Sequence, residues 1–207
     1  MLVALVSLLI IMLATLAMVR SVDTGTQVVG NLGFKQDATE VAGVGAEQAL
    51  AWLSNKTANS GGDLNADIPA EGYYASSVDT LDPTGANTTA ALPLRLIDWD
   101  ADGCGAVAAG TFFDCTITPK GNNPTITING NRVAWVITRL CEKAAPPDVT
   151  NRCNQPIVVS TTTASDRGSL ESGGRISASV SGPYYRVIVR AVGPRNSVSF
   201  TETIAHF

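Results

Sequence analysis

MLVALVSLLIIMLATLAMV, Met1 to Val19, is the stretch on which the fold turns: it carries no charge, and 17 of its 19 residues are apolar, broken only by Ser7 and Thr15. As a helix it spans about 28 Å, close to the ~30 Å hydrocarbon core of a bilayer. A membrane span is therefore expected over residues 1–20. A cleaved secretory signal would call for a basic n-region, a shorter apolar run and a small-residue cleavage site. Nothing basic precedes the run, and Arg20-Ser21-Val22-Asp23 is no such site, so a retained span is expected. A plain membrane anchor is an open alternative at this point.

The helical pattern continues beyond the span. Phe34, Ala38, Val41, Ala42, Gly45, Ala46, Ala49, Trp52 and Leu53 recur at the spacing of one helix face, and Lys35, Gln36, Asp37, Glu40, Glu47 and Gln48 occupy the other. The spacing predicts one helix of about 53 residues, apolar over 1–20 and amphipathic over 21–53. Gly25, Gly30 and Gly33 each cost about 1 kcal/mol relative to alanine. They mark either a loosened stretch or places of close packing.

The composition of the whole chain follows from this segment. The 207 residues are 45% hydrophobic but only 6% aromatic and 15% charged, which excludes a disordered chain. Mean hydropathy is +0.17. With the span set aside, the apolar share falls to about 40%, that of an ordinary soluble domain. A net charge of -4 and a pI near 4.9 leave no basic footprint, so no nucleic-acid partner is expected.

Residues 54–207 read as a β-rich body. Turn signals crowd its first half, at Ser60-Gly61-Gly62, Asp82-Pro83, Asp102-Gly103 and Gly121-Asn122-Asn123-Pro124. Strand patterns are expected at Thr125–Asn129, Arg132–Leu140 (Val133, Trp135 and Ile137 alternating with polar neighbours), Pro156–Ser160, Tyr184–Val192 and Ser197–Ala205. Gly193-Pro194-Arg195-Asn196 turns the last pair into a hairpin, with Val198, Phe200 and Ile204 on one face. Ser160–Ser181, rich in Ser, Thr and Gly, reads as a surface loop. The expected class is α+β: a long helix packed by its second half on a C-terminal antiparallel sheet with loop-rich insertions.

Four cysteines, Cys104, Cys115, Cys141 and Cys153, fall into two local pairs. Neither spacing is a redox or zinc motif, and the lone His206 argues against a metal cluster. An even count beyond a membrane span suggests two disulfides in an oxidising compartment such as the periplasm. Three pairings are possible; Cys104–Cys115 with Cys141–Cys153 is favoured because each closes a turn-containing loop. Asp98, Asp100 and Asp102, followed by Gly103, fit the first half of an EF-hand calcium loop, but Ala109 stands where a bidentate Glu is needed. The alternative is a solvated acidic turn, and no cofactor is otherwise expected. Nucleophile-elbow, P-loop, dinucleotide and zincin motifs are all missing, so the chain does not read as an enzyme.

Two segments carry a family resemblance. VALVSLLIIMLATLAMVRS, then Gly30-Asn31-Leu32, Phe34, Gln36 and Ala46-Glu47-Gln48-Ala49-Leu50, resemble the amino-terminal region of the PilX family of type IV pilus minor pilins. Tyr184-Tyr185-Arg186-Val187-Ile188-Val189-Arg190-Ala191-Val192-Gly193 resembles the family's closing hairpin. The likeness covers residues 1–53 and about 183–207.

The resemblance implies a pilin fold and a subunit held in the bacterial inner membrane, body in the periplasm, until it is drawn into an extracellular pilus. The apolar residues Met1, Leu2, Leu5, Leu8, Leu9, Leu13 and Leu16 would form its assembly helix. Its implied partners are other minor and major pilins and a PilY-type tip adhesin. Prepilins of this class begin with a short basic leader ending in Gly, so the chain is expected to be the processed form or a truncated one. Major pilins carry a glutamate at mature position five, whereas Leu5 stands here and no acidic residue precedes Asp23. This favours a subunit at the filament tip, with a repeating filament subunit and a membrane-anchored periplasmic binding module as alternatives.

Overall fold

The computed structural model describes residues 1–87, 94–105, 107, 112, 114–122, 124–148, 150–156 and 182–207. Helix α1 runs unbroken over Leu2–Ser60, about 88 Å at 1.5 Å per residue. It passes through Gly25, Gly30 and Gly33 without loosening, and a Cβ built on any of the three meets nothing within 4 Å. The stretch is regular helix rather than a loosened one, and the alternative, close packing, has no partner within this chain. The helix also outruns its expected end at residue 53: Thr57 Oγ1 donates to the Leu53 carbonyl at 2.9 Å, and a 3₁₀ turn over Gly61–Asn65 follows.

The strands are β1 (Tyr73–Tyr74), β2 (Leu81–Asp82), β3 (Arg95–Ile97), β4 (Asp114–Ile117), β5 (Ile126–Ile128), β6 (Asn131–Arg139), β7 (Tyr184–Val192) and β8 (Val198–His206). The main sheet runs β1-β6-β7-β8, with β5 also on β6. Pairings β5–β6, β6–β7 and β7–β8 are antiparallel, but β1 lies parallel to β6. The expected antiparallel sheet is thus a mixed one. Gly72 permits the parallel approach, since at its φ of +67° a Cβ would sit 2.6 Å from both Lys120 N and the Trp135 carbonyl oxygen. A small all-parallel sheet, β2-β3-β4, lies in the segment read as loop-rich.

Both faces of the main sheet are covered. On one, Val133, Trp135, Ile137, Tyr185, Val187, Val189 and Ala191 meet Val41, Ala42, Ala46, Ala49 and Leu53 of α1. On the other, Val136 and Ile188 meet Leu81, Ile97 and Ile117 of the small sheet. This second cover is why β6 is buried along nearly its whole length rather than alternating with polar, exposed neighbours. The expected strand at Pro156–Ser160 and the loop Ser160–Ser181 lie outside the described residues, apart from Pro156 itself.

Candidate assembly surface

The surface is built on one helix that changes its environment midway. Leu2 to Val29 are exposed throughout, and burial begins at Ala38. Leu5, Leu8, Leu9, Leu13 and Leu16 are all at least half exposed, Leu5 at 70%. Met1 and Leu2 are equally open. α1 is long and apolar enough to cross a membrane. Its only hydroxyls within the span are satisfied internally, Ser7 Oγ donating to the Ala4 carbonyl and Thr15 Oγ1 to that of Met12, each at 2.9 Å. From Met1 to Val19 an apolar solvent therefore meets no unpaired side-chain donor.

Between the span and the body, α1 keeps an apolar side. At 100° per residue, Val22, Gly25, Val28, Val29, Leu32 and Gly33 fall within an arc of about 140°, and all six are exposed. Arg20, Asp23, Gln27 and Asn31 share the azimuth of Ala38, Val41, Gly45 and Ala49, which are buried against the body, while Val28, at the edge of the arc, shares that of the buried Ala46. The rest of the apolar arc, from Leu32 round to Gly33, points away from the body. Its glycines have no neighbour in this chain, which leaves room for the backbone of another helix to approach closely.

Three contacts fix the angle at which the body leaves α1. The Arg195 guanidinium stands 5.2 Å from the centroid of the Phe34 ring. Asn131 Nδ2 donates to Asp37 Oδ2 at 2.7 Å, although Asp37 lies on the face expected to be solvated. Thr39 Oγ1 and Ser199 Oγ share a hydrogen bond at 2.8 Å. The helix-facing side of β8 is made of such small residues, while Phe200 turns the other way onto Trp99, with ring centroids 5.9 Å apart. Ile204, expected to share the apolar face with Val198 and Phe200, is 61% exposed.

The structure pairs Cys104 with Cys115 and Cys141 with Cys153. The first bond ties β4 to the acidic turn. Within that turn, the Asp98 carboxylate accepts the backbone N–H groups of Asp102 at 3.0 Å and Gly103 at 3.2 Å. Asp100 Oδ2 lies 2.8 Å from Arg190 Nη1 of β7. Asp98 and Asp100 are thus turned onto the protein itself, and among the described residues no three metal-ligating side chains converge; Ala109 lies outside them. His206 is the last residue of β8, with its ring 5.3 Å from that of Tyr184.

Sequence reasoning missed Arg139, which is 1% exposed at the end of β6. It donates from Nε to the Ala75 carbonyl, from Nη1 to Asn65 Oδ1 and from Nη2 to the Lys143 and Ala145 carbonyls. The alternation of β6 hinted at it, since an arginine continuing the Val133-Trp135-Ile137 register had to point into the core. Nearby, burial pushes the Tyr73 hydroxyl well above its usual range against the opposing pull of Arg139, and its O–H donates to the Leu64 carbonyl at 2.7 Å. Comparison of the chain with protein-family models, curated proteins and solved structures returns no match.

Proposed function

We propose that this protein is a minor pilin of a type IV pilus, held in the inner membrane before assembly and incorporated at or near the filament tip. There it primes assembly with other pilins and supports display of a PilY-type adhesin. The observation that carries this reading is the uncharged, exposed stretch of α1 from Leu2 to Val19, continued by an exposed apolar arc that mostly faces away from the body. A simple anchor needs about 20 apolar residues and nothing more. A helix that must exchange lipid for neighbouring helices needs the same span plus a side free of its own body.

The resemblance of residues 1–53 and 183–207 to the PilX family supports the same reading, as do paired cysteines suited to an oxidising compartment. The span from Met1 to Val19 holds no carboxylate, whereas a repeating subunit would carry one within its apolar helix, and this favours the tip over the shaft. Leu9→Asp or Leu13→Asp should block incorporation into filaments while the body stays folded, scored by subunit recovery in sheared pili. Normal piliation in these variants would sink the proposal. Copy number per filament separates the tip subunit, at a few, from a repeating subunit.

A further inference from the structure

Arg139 is a buried cation with no counter-ion: among the described residues, none of the ion pairs involves it. Its charge is solvated instead by neutral oxygens drawn from three separate segments. Asn65 belongs to the turn that ends α1, Ala75 follows β1, and Lys143 and Ala145 sit in the loop closed by Cys141–Cys153. Burying a guanidinium is tolerable only while such acceptors stay in place.

The disulfide loop is organised to hold its two carbonyls there. Asn151, 2% exposed, donates through Nδ2 to the carbonyls of Lys143, Ala145 and Pro146, and its Oδ1 accepts the Lys143 N–H. The two arms also meet through Glu142 N to the Arg152 carbonyl and Asn154 N to the Leu140 carbonyl. Lys143, Ala145 and Asn151 all lie between the bonded cysteines. By contrast, none of the four residues that accept from Arg139 lies between Cys104 and Cys115.

We propose that Cys141–Cys153 is a redox-sensitive latch on the end of α1. The closed loop supplies half of the acceptors that hold the Arg139 cation, and Arg139 in turn holds the Asn65 turn and β1. Cleavage by a dithiol transfers two electrons and two protons to the bond, giving two cysteine thiols while the dithiol closes to its own disulfide. The loop then relaxes, Arg139 loses its Lys143 and Ala145 partners, and the segment 61–76 loosens while the centre of β6 and β7 stays paired. The latch is independent of whether the chain assembles into filaments.

The test is hydrogen exchange on the full chain in detergent micelles, using the Cys104→Ser/Cys115→Ser variant so that Cys141–Cys153 is the remaining bond. Dithiothreitol is added to the already folded protein, with cleavage followed by mass. Amides in 61–76 should exchange at least tenfold faster after reduction, with 133–137 unchanged. In an Arg139→Met background, reduction should no longer alter 61–76. Asn151→Ala, which frees the same carbonyls without touching the disulfide, should accelerate 61–76 in the oxidised protein and covers the case in which Arg139→Met does not fold. Unchanged protection of 61–76 on reduction would overturn the latch, as would a response that survives Arg139→Met or an oxidised Asn151→Ala protein as protected as the parent.

Discussion

A Cβ placed on Gly45 would lie 2.5 Å from Cγ1 of Val133, so the distance between α1 and the sheet is set by the missing side chain. Val133 and Val189, the other contact at 3.0 Å, are both buried. Two effects compete in Gly45→Ala: a helix-propensity gain of about 1 kcal/mol and an overpacking cost of roughly 1–3 kcal/mol. The cost should win, lowering stability by up to about 2 kcal/mol. Gly43, two residues away, meets nothing within 4 Å, so Gly43→Ala should be neutral or stabilising by up to about 1 kcal/mol. Opposite shifts in denaturant midpoint are the expected result.

The Asn131–Asp37 bond joins a fully buried amide to the helix. Asn131 Oδ1 already lacks a partner, so removing the acceptor of its Nδ2 strips this side chain further. Asp37→Ala should cost about 1–3 kcal/mol, and Asp37→Asn, whose amide oxygen can still accept, should cost less. Chemical denaturation of the paired variants measures the difference.

Asp82 gives the fold an acid limit. Burial opposes its ionisation, but N–H and hydroxyl donors from Asn87 and Thr84 outweigh that and hold the carboxyl below the usual carboxylate range. A depressed folded value means the stabilisation is complete above the unfolded pKa of about 4 and is lost as pH falls through the folded one. Asp82→Asn should therefore be less stable than the parent at pH 7, with the gap closing below pH ~4. A gap independent of pH would contradict this.

For the arc of α1 that faces away from the body, position matters more than composition. Val29→Asp places a charge on the apolar arc, and Gln27→Asp places one on the already polar side. Val29→Asp should reduce incorporation into pili by at least tenfold, Gln27→Asp by little, with the body of both variants equally protease-resistant. Equal incorporation would remove the arc from the assembly surface.

The helix and the β6–β8 meander were legible because their signals are local: a 3.6-residue rhythm from Ala38 to Leu53, and a turn at Gly193-Pro194 between apolar runs. The cysteine pairs were legible for the same reason, each closing a short loop. What stayed hidden is non-local. Tyr73-Tyr74 and Leu81-Asp82 are strands of two residues, too short to carry a period, and the parallel partner of the first, Ile137-Thr138, lies far along the chain. The burial of Val136 and Ile188 depends on that small sheet, and the burial of Arg139 on three distant segments. Ile204 misled in the opposite sense, because periodicity names a face without saying whether anything covers it.

Neither disulfide spans from α1 to the body. If tension enters along the helix axis, as it would in a retracting fibre, the covalent cross-links lie off the load path. The load falls on the face from Ala38 to Leu53, which is pulled tangentially, so its contacts bear force together rather than peeling one by one. Mechanical strength here resides in a helix seated flat on a sheet, with Gly45 pressed against Val133 and Val189 inside that seat.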